Sequence, residues 1–219
     1  MHTIDSILSQ LREVGTPTAR EGMQRFGIDT TYALGVSIPV LRGLGKKIKK
    51  DHSLALALWA SKYHEARILA SMIDDPAQVT AGQIDAWVKD LNSWDLCDQV
   101  CGNLFDRTDF AVEKAIAFSR RKEEFVKRAG FVLMAEYAVH NKKAGDEVFL
   151  SFLPLIEKEA YDDRNFVKKA VNWALRQIGK RNVSLRKAAI SAAERILQQD
   201  SKAARWIARD ALRELKKVS

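Results

Sequence analysis

Trp94 and Asp98 stand four residues apart in the segment Asn92-Ser93-Trp94-Asp95-Leu96-Cys97-Asp98. In a helix that spacing places both side chains on one face, while Leu96, Val100 and Leu104 fall on another. An indole face attracts cations through its ring quadrupole. A carboxylate stabilises positive charge as it develops, or orients a water for attack. Ser93 or Asn92 is the expected N-cap, which puts Trp94 and Asp95 in the first turn. Asp98 also falls in phase with basic positions: Arg67, Asp98 and Ala129, next to Arg128, follow one another at 31-residue steps. A carboxylate among basic groups would repel a phosphate backbone, so its place points to a cation formed beside it. The competing reading is a salt bridge to Arg67 or Arg128.

Trp173 is the second aromatic of interest. Lys169 and Arg176 lie at i−4 and i+3 on its helical face, whereas Phe166, Ala170 and Ile178 read as packing positions. A ring flanked by cations suits a nucleic-acid contact; the alternative is a core Trp between repeats. Trp59, Trp87 and Trp206 read as ordinary packing. His2, His52, His64 and His140 are scattered, with no ligand spacing. Cys97 and Cys101 are expected on one helix face as small core residues, and their spacing is not that of a zinc site. The sequence has no Gly-rich phosphate loop, no dinucleotide fingerprint, no His-Glu-x-x-His and no nucleophile elbow, and the Gly45-Lys46-Lys47 turn lacks the rest of a phosphate loop.

The elements that must position these residues are helical throughout. Apolar residues recur at helical period from Ile4 through Leu8 and Leu11, and from Ile38 through Leu41 and Leu44 to Ile48, with Pro39 tolerated in the first turn. Further helices are expected over Leu54–Ala60, over Ala66–Ile73 with a stop at Asp74-Asp75-Pro76, and from an N-cap at Thr80 through Val88. Others are expected over Asp95–Phe105, Phe110–Phe118, Glu123–Val139, Asp146–Lys158, Arg164–Gly179, Ser184–Gln198 and Ala203–Lys217. No segment alternates as a strand. With 11 Gly and 4 Pro in 219 residues, the turns of a β barrel or sandwich have little material.

Phe125-Val126-Lys127-Arg128-Ala129, Phe166-Val167-Lys168-Lys169-Ala170 and Ile207-Ala208-Arg209-Asp210-Ala211 repeat at 41-residue steps. A period of about 40 with two helices per unit is that of HEAT-type arrays, whose alternate helices line a concave face. The expectation is therefore an all-α, HEAT-like helical repeat solenoid, a single domain over residues 1–219. Arg67, Lys127, Arg128, Lys168, Lys169, Arg205 and Arg209 would share its face.

The charge of +8 and pI near 9.5 are unevenly placed. Residues 1–119 carry a net −2, and residues 120–219 a net +10. A basic half favours a polyanionic partner, with nucleic acid leading. No run approaches a membrane span. Met1 to Arg12 carries Asp5 and lacks the pattern of a secretory signal, so a cytoplasmic protein is expected.

Taken in order, Trp94-x-x-x-Asp98, Phe125-Val126-Lys127-Arg128-Ala129 and Phe166 to Arg176 with Trp173 resemble the AlkD-like DNA alkylation repair proteins. The likeness covers most of the chain, from about Gly35-Val36-x-x-Pro39-x-Leu41-Arg42 onward. It implies HEAT-like DNA glycosylases that release cationic N3- and N7-alkylated purines from duplex DNA and cradle the backbone instead of drawing the base into a pocket. It implies that Asp98 is the catalytic carboxylate, that Trp94 and Trp173 flank the lesion, and that Arg128 meets the backbone beside it. With Arg67, Lys127, Lys168, Lys169 and Arg176 as further DNA contacts, the expected protein is a monofunctional glycosylase, monomeric, without metal or other cofactor and without membrane contact. The segment Arg20 to Phe26 departs from the family pattern, and Met23, Phe26 or Tyr32 stand where an aromatic contact to the unpaired base is sought. A non-catalytic binder of damaged, bent or branched DNA and a protein-binding scaffold are the rival readings.

Overall fold

The structure is a computed structural model that describes residues 2–217. Among these it contains thirteen α-helices, one 3-10 turn and no strand. The helices are α1 (Ile4–Val14), α2 (Pro17–Arg25), α3 (Ile38–Ile48), α4 (His52–Ala60), α5 (His64–Ile73), α6 (Ala81–Lys89), α7 (Trp94–Asn103), α8 (Ala111–Ser119), α9 (Glu124–His140), α10 (Asp146–Glu159), α11 (Asn165–Gly179), α12 (Val183–Leu197) and α13 (Lys202–Leu215). They cluster into two compact units, Met1–Leu104 and Phe105–Ser219.

Local chemistry explains most boundaries. Side-chain oxygens of Thr3, Thr16, Asp51, Thr80, Asn182 and Ser201 cap the helices that follow them, each relieving an amide at a helix start. The helix α2 is an element the sequence pattern did not yield. It buries no residue, so it has no apolar stripe to detect; its one legible signal is Thr16-Pro17, a cap followed by proline in the first turn.

In the first unit α5 is central and packs against α3, α4 and α7. It buries Ala66, Ile68, Leu69, Ala70 and Ile73, and also the polar side chains of His64, Glu65 and Ser71. Cys97 and Cys101 are buried core residues of α7, as expected.

The second unit is built in two layers. The helices α9, α11 and α13 lie side by side, and α8, α10 and α12 pack alongside. The 41-residue period is the step between neighbours within the first layer. Phe125 and Phe166, one period apart, meet with ring centroids 5.7 Å apart. Ala129, Ala170 and Ala211, at the same phase, are fully buried and let the helices approach closely. Gly130 marks the tightest approach. A Cβ there would sit 2.3 Å from the Ser119 amide nitrogen at the end of α8. Alanine normally favours a helix over glycine by about 1 kcal/mol. Gly130→Ala is nevertheless expected to destabilise by about 2–3 kcal/mol, because backbone must move; a raised urea midpoint would contradict this contact.

Candidate nucleic-acid interface

In the first unit the candidate residues sit on the N-terminal half of α7. Ser93 provides the N-cap backbone, but its side chain makes no capping bond and is buried. Asn92 instead donates to Asp29 at 2.8 Å. Trp94 and Asp98 are both half-buried, one turn apart. The Trp94 indole N–H donates to the Phe26 carbonyl at 3.0 Å, which fixes the ring's tilt and ties the end of α2 to α7. Phe26 itself is 72% exposed and Tyr32 54% exposed, while Met23 is half-buried. Phe26 thus meets Trp94 through its backbone, and its own side chain is left exposed.

Two carboxylate contacts support this corner. Glu65, almost fully buried, accepts the amides of Leu34, Gly35 and Val36 at 2.8, 2.7 and 3.2 Å. Gly35 has φ +80°, and a Cβ there would meet the Thr16 carbonyl at 2.2 Å, so this clamp holds a turn that only glycine fits. His64 Nε2 meets Asp95 Oδ2 at 2.8 Å. Burial alone would lower the His64 pKa, but the hydrogen bond and charge of Asp95, with Glu65 and Asp29, raise it above its ordinary 6.5. Burial would likewise raise Asp95, yet the bond and charge of His64 hold it below the usual carboxylate range.

The stabilisation from the raised histidine is present in full below its unfolded pKa and is lost as pH rises through the folded one. The stability difference between wild type and His64→Gln should therefore shrink from about pH 6.5 upward. Urea titrations at several pH values measure it, and a difference independent of pH would refute the charged pair. His52 with Asp74 at 2.6 Å and His140 with Asp106 at 2.5 Å repeat the arrangement. The sequence offers no sign of these pairs, because the partners lie 22 to 34 residues apart.

The basic residues divide sharply. Arg67, expected as a DNA contact, is engaged within the first unit. Its guanidinium lies over the Trp59 ring at 5.1 Å and pairs with Asp90 at 3.1 Å, and its side chain is only 12% exposed. Trp59 and Trp87 stack at 3.9 Å beneath it, core residues as expected. Lys127 is likewise corrected from a DNA contact to an internal one. It is buried and bonds Glu159 at 2.7 Å and Asp162 at 3.2 Å. Burial disfavours its charge, but those two carboxylates raise its pKa overall.

Arg128 is also buried and donates to the Phe166 carbonyl at 2.5 Å. Arg176 bonds Glu214 at 2.6 Å and lies 3.5 Å from Asp210. These four cations hold the packed helices together. Lys168 and Lys169 remain at the surface of α11, half-buried and exposed, and Lys169 has no ion pair among the described residues. On the same helix Trp173 is half-buried, its indole N–H donating to the Gln177 side-chain oxygen at 2.9 Å. Trp206, expected in the core, is 42% exposed.

Among the described residues no group of three or more His, Cys, Asp or Glu could hold a metal ion. No helix there is long and apolar enough to cross a membrane.

The all-helical packing of both units and the two layers and 41-residue step of the second define a HEAT-like class of repeat protein. A solved structure described as "A new family of proteins related to the HEAT-like repeat DNA glycosylases with affinity for branched DNA structures" shares this fold at a TM-score of 0.79. It is 19% identical and covers 97% of this chain and 95% of its own. The family model of the DNA alkylation repair enzymes matches residues 7–215, and the chain belongs to that family. No curated protein matches it.

Proposed function

We infer that the protein is a monofunctional, monomeric DNA glycosylase that hydrolyses the N-glycosidic bond of cationic N3- and N7-alkylated purines in duplex DNA. The observation that carries this reading is Asp98 one turn below Trp94 on α7, with the indole anchored to the Phe26 carbonyl. An N3- or N7-alkylated purine is already positively charged. When its bond to C1′ breaks, the electron pair goes to the base, which leaves neutral, and the deoxyribose becomes an oxocarbenium ion. The Asp98 carboxylate stabilises that ion and orients the water that attacks C1′. Trp94 and Trp173 each offer an indole face that attracts a cationic base. Lys168 and Lys169 contact phosphates, which position the duplex without reading its sequence. No lysine nucleophile is invoked, so the product is an abasic site and not a cleaved strand.

A second reading is favoured by one observation: Arg67, Lys127, Arg128 and Arg176 are engaged within the fold. A protein whose expected lesion-side cation, Arg128, is engaged internally suits binding of damaged, bent or branched DNA without excision. One experiment separates the two. Methylated duplex is incubated with the protein, and released N7-methylguanine and N3-methyladenine are quantified by chromatography, beside binding to a four-way junction. Release above the uncatalysed rate is expected. Tight junction binding with no release would establish the second reading instead.

A further inference from the structure

We propose that α13 carries a separate binding surface for single-stranded DNA, with Trp206 as the stacking platform for an unpaired base. Two stripes divide this helix. Ala203, Ala204, Ile207, Ala208, Ala211 and Leu215 are buried and close the packing against the rest of the second unit. Lys202, Arg205, Trp206, Arg209, Asp210 and Arg213 line a recess on the other side, spaced i, i+3, i+4, i+7, i+8 and i+11.

Trp206 is not needed for the repeat. Ile207 fills the packing position that Phe166 and Phe125 occupy one and two periods earlier. The ring is 42% exposed, with the Lys168 ammonium over it at 5.0 Å. The acidic members of the neighbourhood are already matched: Asp210 pairs with Arg213 and lies 3.5 Å from Arg176, and Asp200 pairs with Arg205 at 3.2 Å. Lys202 and Arg209 are exposed and have no ion pair among the described residues.

An exposed indole beside free cations matches the two chemical features of a single strand, a bare base face and a phosphate backbone. A blunt duplex offers the phosphates but covers its internal base faces by stacking, so the indole discriminates between the two forms. The exposed stripe from residue 202 to 213 rises about 16 Å, room for a few nucleotides. The surface shares Lys168 with the proposed duplex contacts, and its test compares strand with duplex and reads binding alone.

The test measures fluorescence anisotropy of a labelled dT oligonucleotide of about 20 nucleotides, and of a blunt duplex of equal length, with the full chain. Wild type is compared with Trp206→Ala and Trp206→Phe. Stacking on one aromatic side chain is worth enough that its removal should weaken dT binding about tenfold or more. Duplex affinity should change less than about twofold, and Trp206→Phe should restore most of the loss. Thermal melting confirms that the variants are folded, which the ring's exposure favours. A dT affinity for Trp206→Ala within about twofold of wild type, or an equal loss on strand and duplex, would overturn the proposal.

Discussion

Asp98→Asn is expected to reduce release of N7-methylguanine from methylated duplex at least about 100-fold, the size of effect found when one preorganised electrostatic partner of a transition state is removed. Asparagine keeps the shape of the side chain and removes its full negative charge. The loss should appear in the chemical step and not in binding, since a carboxylate repels the phosphate backbone; duplex affinity should stay level or tighten. Single-turnover kinetics with enzyme in excess isolate that step. Trp94→Phe provides the contrast. It keeps an aromatic face and loses the hydrogen bond to the Phe26 carbonyl, so its loss in rate should be smaller than that of Asp98→Asn. A rate for Asp98→Asn equal to wild type would remove the carboxylate from the mechanism, whatever else the protein does to DNA.

Lys127→Met should destabilise the fold by about 3–5 kcal/mol, because it strands two buried carboxylates without their cation. Lys127 joins α9 to Glu159 at the end of α10 and to Asp162 in the turn that follows. Asp162 keeps Arg164 at 2.6 Å, so Glu159 bears most of the cost. Urea unfolding gives the value directly, with the slope showing whether two-state behaviour survives. Below the unfolding transition, DNA affinity should match wild type, in contrast to Lys169→Met, an exposed change that should weaken duplex binding and leave stability within about 0.5 kcal/mol. If Lys127→Met weakened DNA binding without loss of stability, the buried triad would be the wrong description of this lysine.

The contrast between Lys127 and Lys168 shows where reading the sequence stops. They occupy equivalent positions one 41-residue period apart, and one is enclosed by carboxylates while the other lies over Trp206. Periodicity identifies the helix face but not the neighbour across it. Arg67 is similar: its partners Trp59 and Asp90 come from outside α5. Trp206 errs in the opposite sense. Its surroundings are rich in alanine and read as core, yet Ile207 takes the inward position and turns the indole out.

By itself the chain determined its helices other than α2, their repeat and the Trp94–Asp98 pair. Caps, apolar period and i, i+4 spacing act within a few residues, so these features are written locally. The tertiary structure alone decided which charges are free. A carboxylate 23 to 38 residues away neutralises a cation as fully as an adjacent one, and sequence distance does not reveal that approach. The +8 of the whole chain already subtracts every paired carboxylate, so the pairs leave the excess at the surface and decide only that Arg67, Lys127 and Arg176 are not among the cations that carry it.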